Sequence, residues 1–260
     1  MDLKLAGKTA VITGGSKGIG LATAIVLAEE GANVVLVARG EEALRQAAGL
    51  IGKRTGREPL VIAADVTAEE EVKLAVDAAV QAYGGIDILV NNAGTSAAKP
   101  FEEVSESAWE ADLDLKLYGA VRFAKLAVPH MRARGGGAIV NVTAVGGKTP
   151  GASSLPTSVS RAAGLALTKA MSKDLARDNI RVNAVCIGLI RSDQIERMWQ
   201  AKAPELSWEE FAADSRHGIP LGRIGNAEEA ANVIAFLVSG AASYVSGTSV
   251  NIDGGSAAVL

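Results

Sequence analysis

Thr9-Ala10-Val11-Ile12-Thr13-Gly14-Gly15-Ser16-Lys17-Gly18-Ile19-Gly20 is the stretch on which the fold turns. Five β-branched or small residues read as a buried strand. Glycines at 14, 18 and 20 follow directly, and an apolar helical pattern begins at Ile19. A turn of this kind lets backbone N–H groups approach a ligand closely. The helix that opens there presents its positive end, which suits a pyrophosphate. Gly14, Ser16, Lys17, Gly18, Ile19 and Gly20 are therefore candidate phosphate-binding positions. The spacing is Gly-x-x-x-Gly-x-Gly, unlike the common Gly-x-Gly-x-x-Gly.

Outward from this turn the chain alternates short apolar runs with helical patterns. Further strands are expected at Asn33–Val37, Leu60–Ala63, Ile86–Asn91, Ala138–Val142, Arg181–Val185 and Thr248–Ile252. Helices are expected near 19–30, 41–53, 68–83, 106–133, 158–177 and 227–238. Continuous apolar strands separated by helices predict a parallel, doubly wound α/β sheet of Rossmann type, covered on both faces. Residues 1–260 read as one dinucleotide-binding domain. Residues 189–217 break the rhythm, carry Trp199, Trp208 and Phe211, and are expected to form a substrate lid.

Composition agrees with a soluble enzyme-like domain. The 260 residues are 48% hydrophobic, enough for a large core, and the net charge is −3 with mixed signs. No basic stripe marks a nucleic-acid partner, and no apolar run is long enough to span a membrane. The opening residues do not read as a signal peptide, so a cytoplasmic location is expected. The lone Cys186 reads as a buried strand residue, and no metal site is expected.

The second strand ends Leu36-Val37-Ala38-Arg39. An acid at this place accepts from the ribose 2′-OH of NAD; Ala38 and Arg39 offer none. Arg39, with Lys17, suits a 2′-phosphate. NADP(H) is thus the expected coenzyme, with NAD(H) as the alternative.

With these features in hand, the whole chain resembles the classical short-chain dehydrogenase/reductases. The motifs that carry the resemblance are Thr13–Gly20, Ala64-Asp65-Val66-Thr67, Asn91-Asn92-Ala93-Gly94, Arg181-Val182-Asn183-Ala184-Val185 with Gly188, and the close Ser246-Gly247-Thr248 and Asn251-Ile252-Asp253-Gly254-Gly255. The resemblance implies strand order 3-2-1-4-5-6-7 and a small-molecule substrate. It further implies a homotetramer or homodimer. It places Asp65, Val66, Asn91, Ala93, Gly94, Gly188 and Ile190 beside the coenzyme.

The family's Asn–Ser–Tyr–Lys tetrad is where this sequence departs. Local matching puts Thr157 in place of the Tyr, Arg161 in place of the Lys, Ala144 in place of the Ser and Lys116 in place of the Asn. Ile187 stands where a Pro precedes Gly188. A phenol ionises at about pH 10 and a nearby cation lowers that. A Thr hydroxyl has no comparable ionisation and a shorter reach. Arg161 can hold ribose hydroxyls but stays protonated. Lys116, partly desolvated beside Arg161, is the preferred replacement acid–base group, and His217 in the lid the second. Tyr118, two positions from Lys116, belongs to another helical face and is expected at a subunit interface. The leading reading is an NADP(H)-dependent oxidoreductase acting on a carbonyl or alcohol with a rebuilt proton donor. A coenzyme-binding protein or partner subunit without redox activity is an alternative, as is non-redox chemistry in the same cleft.

Overall fold

The computed structural model describes residues 2–260. Its strands are β1 (Thr9–Thr13), β2 (Asn33–Ala38), β3 (Leu60–Ala63), β4 (Ile88–Asn91), β5 (Gly137–Ala144), β6 (Ile180–Ile187) and β7 (Ser249–Ile252). All seven pair in parallel in the order β3-β2-β1-β4-β5-β6-β7, a Rossmann-like sheet. The order reverses between β1 and β4. Open α/β sheets bind ligands in the crevice beyond the carboxyl ends of strands at such a switch point.

The helices are α1 (Gly18–Glu29), α2 (Glu41–Thr55), α3 (Glu69–Tyr83), α4 (Glu106–Leu113), α5 (Gly119–Ala133), α6 (Thr157–Asp174), α7 (Asp193–Lys202), α8 (Trp208–Ala212) and α9 (Ala227–Val238). Alternation along β1 shows how the two layers form. Ala10 and Ile12 enter one core with Leu27 of α1, Leu44 of α2 and Ile234 of α9. Val11 enters the other with Val72 of α3 and Phe123 of α5. Every residue of β1 is buried, as a strand covered on both faces requires.

Two elements differ from the sequence expectation. The helix expected over 106–133 is interrupted by a π-helical turn at Asp114–Tyr118, between α4 and α5. Such single turns shift side chains around the axis and recur at functional sites. The 189–217 segment is itself helical, with α7, α8 and a 3₁₀ turn at Ser215–His217. Its own small core joins Phe211, Ala212, Ala203 and Ile224, with Trp199 and Trp208 packed against it. Among the described residues no helix is long and apolar enough to cross a membrane.

Candidate functional site

The cleft opens where the topology places it. Thr13 ends β1 with its hydroxyl accepting from the backbone N–H of Asn92 and of Ala93, each at 3.0 Å. Asn92 Nδ2 donates to the carbonyls of Thr13 (3.0 Å) and Gly14 (3.1 Å). The loop after β4 is thereby fastened to the glycine turn. Gly14 has φ +64° and Gly18 +54°, both in the left-handed region that favours glycine. A Cβ on Gly20 would stand 2.2 Å from the Gly14 carbonyl oxygen, so only glycine fits there.

One half of the cleft is lined by Ser16, Ala38, Arg39, Asp65 and Val66, together with Gly14, Ala93 and Gly94. No acid stands at the end of β2. The Arg39 guanidinium is exposed and lies 3.9 Å from Asp65. Asp65 Oδ1 accepts from the N–H and hydroxyl of Thr67 (2.9 and 2.8 Å). Burial pushes the Asp65 carboxyl up, but the Thr67 bonds and the Arg39 charge outweigh it and hold it below its ordinary value.

The other half is lined by Gly18, Ile19, Gly94, Ala144, Thr157, Arg161, Gly188 and Ile190, and by α7. Lys17 belongs to this half. The sequence pairs it with Arg39 about one phosphate; instead the two cations face opposite halves. Lys17 adopts an extended backbone at the start of α1, and its Nζ meets Asp193 of α7 at 2.9 Å.

Behind this half lies a small cavity of about 20 Å³, room for about one water, lined by Lys116, Asn91, Asn141, Ser160 and Arg161. Asn91 also departs from expectation. Its side chain is directed along the sheet, donating to Asn141 Oδ1 at 2.9 Å, and it lines this inner cavity, not the cleft. Asn141 continues the ladder to Thr168 at 2.9 Å.

The charged cluster lies between cleft and cavity. Lys116, on the π-helical turn, is buried and ion-paired with Asp112 one turn earlier. Its Nζ donates to Thr157 Oγ1 at 3.1 Å. Thr157 opens α6, and its oxygen accepts also from the Ala97 N–H at 2.9 Å. Backbone bonds between Lys99 and Leu155 hold that loop in register with α6. Ser160 Oγ reaches Asp112 Oδ2 at 2.6 Å. Arg161 Nη1 donates to the Val142 carbonyl at 2.7 Å, whereas its buried Nε has no partner. Burial lowers the Lys116 ammonium from its ordinary value, the Asp112 bond raises it, and the Arg161 charge lowers it, for a net decrease. Burial likewise lowers Arg161.

Asp112 escaped the sequence reading, and Ser160 reads there as one of several loop or capping serines near Thr157. The i, i+4 spacing of Asp112 and Lys116 was the available signal. His217 is not brought to the cluster. Its Nε2 lies 2.7 Å from the Phe211 carbonyl and its ring packs edge-on against Phe211 at 4.9 Å, within the 189–217 core. None of Tyr83, Tyr118 and Tyr244 lines the cleft among the described residues.

The cleft residues fit a nicotinamide dinucleotide. The turn from Gly14 to Gly20 keeps its shape only with glycine at 20, as close approach of its backbone to a nucleotide requires, and Arg161, which lines the cleft, has a buried Nε without a partner.

Known proteins bear on this geometry. A family model described as enoyl-(acyl carrier protein) reductase matches residues 14–257. The 3-oxoacyl-(acyl-carrier-protein) reductase FabG of Thermotoga maritima is 39% identical, over 97% of this chain and 99% of its own. The L-sorbose reductase of Gluconobacter frateurii, solved with NADPH and L-sorbose, superposes with a TM-score of 0.93 at 36% identity, covering 100% of both chains. An NADPH-bound short chain oxidoreductase of Pseudomonas aeruginosa PAO1, described as containing an atypical catalytic center, gives 0.93 at 34% identity and covers 99% of each. The parallel sheet, the glycine cradle at its switch point and these matches along nearly the whole length agree: the chain belongs to the short-chain dehydrogenase/reductase family of oxidoreductases.

Proposed function

We propose that this protein is an NADP(H)-dependent carbonyl reductase or alcohol dehydrogenase whose proton donor is Lys116, acting through the hydroxyl of Thr157. The observation that carries this reading is the Lys116–Thr157 hydrogen bond, from the inner cavity to the cleft wall.

The coenzyme would lie with its 2′-phosphate by Arg39 and Ser16, its adenine by Asp65 and Val66, and its pyrophosphate over the Gly14–Gly20 turn. NADPH in two structural relatives supports the phosphorylated form. Arg161, Gly94, Gly188 and Ile190 would hold the nicotinamide end. When bound, the coenzyme supplies or accepts the hydride at the substrate carbon. The 189–217 segment closes the cleft as a lid, with Lys17–Asp193 as its contact to the phosphate loop. Residues 1–260 act as one domain, and the exposed face bearing Tyr118 and Val159 suits subunit contact in a homo-oligomer.

In the proton step, a hydroxyl has one donor hydrogen and two acceptor lone pairs. Both lone pairs of Thr157 are engaged, by Lys116 and by Ala97. Its hydrogen is left for an oxygen in the cleft. As the carbonyl oxygen gains negative charge, the Thr157 O–H bond breaks and the product O–H bond forms. An N–H bond of Lys116 breaks and re-forms the Thr157 hydroxyl. Lys116 is left as the neutral amine and takes a proton from water before the next turnover. The charges of Lys116, Arg161 and Asp112 leave one net positive unit beside the developing oxyanion.

The test is NADPH oxidation with a panel containing L-sorbose, an acetoacetyl thioester and simple ketones, using wild type and Thr157→Val. Turnover of a panel member, lost in the variant while NADPH still raises the melting temperature, supports the reading. Coenzyme binding without turnover of any member would favour a binding protein, and no thermal shift from either coenzyme would remove the nucleotide itself.

A further inference from the structure

Two buried charges and the partly buried Arg161 meet behind Thr157, and their arrangement decides which way a proton can move. Lys116 is faced by Asp112 from α4 and Arg161 from α6. The end of β4 and its loop contribute Asn91 and Ala93 to the same cavity, and β5 contributes Asn141, Val142 and Thr143. None of these can ionise, so the state of Lys116 rests on one anion against one cation and burial.

Burial and the Arg161 charge both favour the neutral amine. A neutral Lys116 would have a lone pair directed at Thr157 and would take its hydrogen. Asp112 is placed to prevent this. One carboxylate oxygen pairs with Lys116, and the other lies 2.6 Å from Ser160 Oγ. With both oxygens facing donors, the group is fixed in direction. Ser160 Oγ also lies 3.0 Å from the Thr157 carbonyl, so the first turn of α6 carries both the anchor of Asp112 and the hydroxyl that Lys116 meets.

We infer that Asp112, seated by Ser160, is a positioning residue that keeps Lys116 an ammonium directed at Thr157, so that the resting site gives a proton and is set for carbonyl reduction. This rests on the proposed role of Lys116. Asp112 lines neither half of the cleft; its side-chain bonds are to Lys116 and Ser160, and its charge also acts on Arg161. The enzyme leaves the reaction equilibrium unchanged; the pair sets the pH range over which reduction is fast.

The experiment titrates the lysine side chains of the coenzyme-free protein by ¹³C NMR, after labelling at Cε. The Lys116 signal is identified by its loss in Lys116→Met. In wild type Lys116 is charged at neutral pH. In Asp112→Asn its midpoint falls by about one pH unit or more, a tenfold change in the proton equilibrium. Ser160→Ala moves it the same way by less, and serves alone if Asp112→Asn does not fold. With NADPH and the fastest carbonyl substrate of the panel, the alkaline limb of kcat moves down with the midpoint, and Asp112→Glu restores part of it. An unmoved midpoint in the folded variants overturns the inference, as does an alkaline limb that stays in place while the midpoint moves. Undiminished turnover in Lys116→Met instead overturns the role of Lys116, while the titration still reports whether Asp112 holds its charge.

Discussion

Lys116 Nζ donates to Thr157 Oγ1 at 3.1 Å, and of the two it is Thr157 that lines the cleft. A buried cation thus meets the cleft wall at a hydroxyl. Thr157→Val keeps the shape and removes the hydrogen. It is expected to lower kcat by about a hundredfold or more, the ordinary scale of a lost proton-transfer group, with the NADPH dissociation constant little changed. Thr157→Ser should retain most of the rate. Steady-state kinetics of the two variants distinguish a relay from simple packing, which Val would satisfy.

Arg39 stands at the carboxyl end of β2 with no acid beside it on that strand. Arg39→Asp should weaken NADPH by tenfold or more, about 1.4 kcal/mol per decade, and leave NADH binding equal or improved. Thermal-shift titrations with each coenzyme measure this. Equal loss for both would mean that Arg39 does not read the 2′-phosphate.

Gly20→Ala should abolish the thermal shift given by NADPH. The added Cβ meets the Gly14 carbonyl oxygen at 2.2 Å, and that oxygen is held by Asn92. Relief requires the turn to move away from the position in which its N–H groups face a pyrophosphate.

Far from the cleft, at the amino ends of β1 and β4, Asp87 accepts from Thr9 N–H (3.0 Å), Lys8 (3.0 Å) and Arg134 (3.1 Å). Burial pushes its carboxyl up, but these donors outweigh it and hold it below the ordinary value of 3.8. A carboxylate depressed in the folded state binds fewer protons there than in the unfolded chain. Its stabilisation is therefore complete above the unfolded value and is lost as the pH falls through the folded one. Asp87→Asn should cost about 1–3 kcal/mol at neutral pH, and its difference from wild type should shrink below pH 3.8. Urea unfolding across pH checks both.

The sheet was legible because parallel strands buried on both faces leave an unbroken apolar mark, as in Thr9–Thr13 and Asn33–Ala38. The glycine turn was legible because backbone conformation constrains residue type there. Side-chain direction left weaker signs. Asn91 and Asn92 are neighbours in one motif, yet strand alternation sends the first into the sheet and the second onto the glycine turn. Lys17 and Arg39 look alike as cations, and only the fold places them in opposite halves of the cleft. Asp112 goes unnoticed and Ser160 reads as a loop or capping serine because an acid and a serine on helices look solvated until burial is known; both are buried. His217 was attractive because histidine as a residue type suits proton transfer, but packing against Phe211 holds it within the 189–217 segment.

The most direct trial of the Lys116 assignment is the turnover of Lys116→Met, measured as oxidation of bound NADPH by the fastest carbonyl substrate of the panel. Thermal stabilisation by NADPH verifies that the variant is folded and loaded. Loss of kcat by about a hundredfold or more, with that stabilisation intact, is the expected result. Turnover equal to wild type would contradict the assignment and return the proton donor to a bound water or to the substrate.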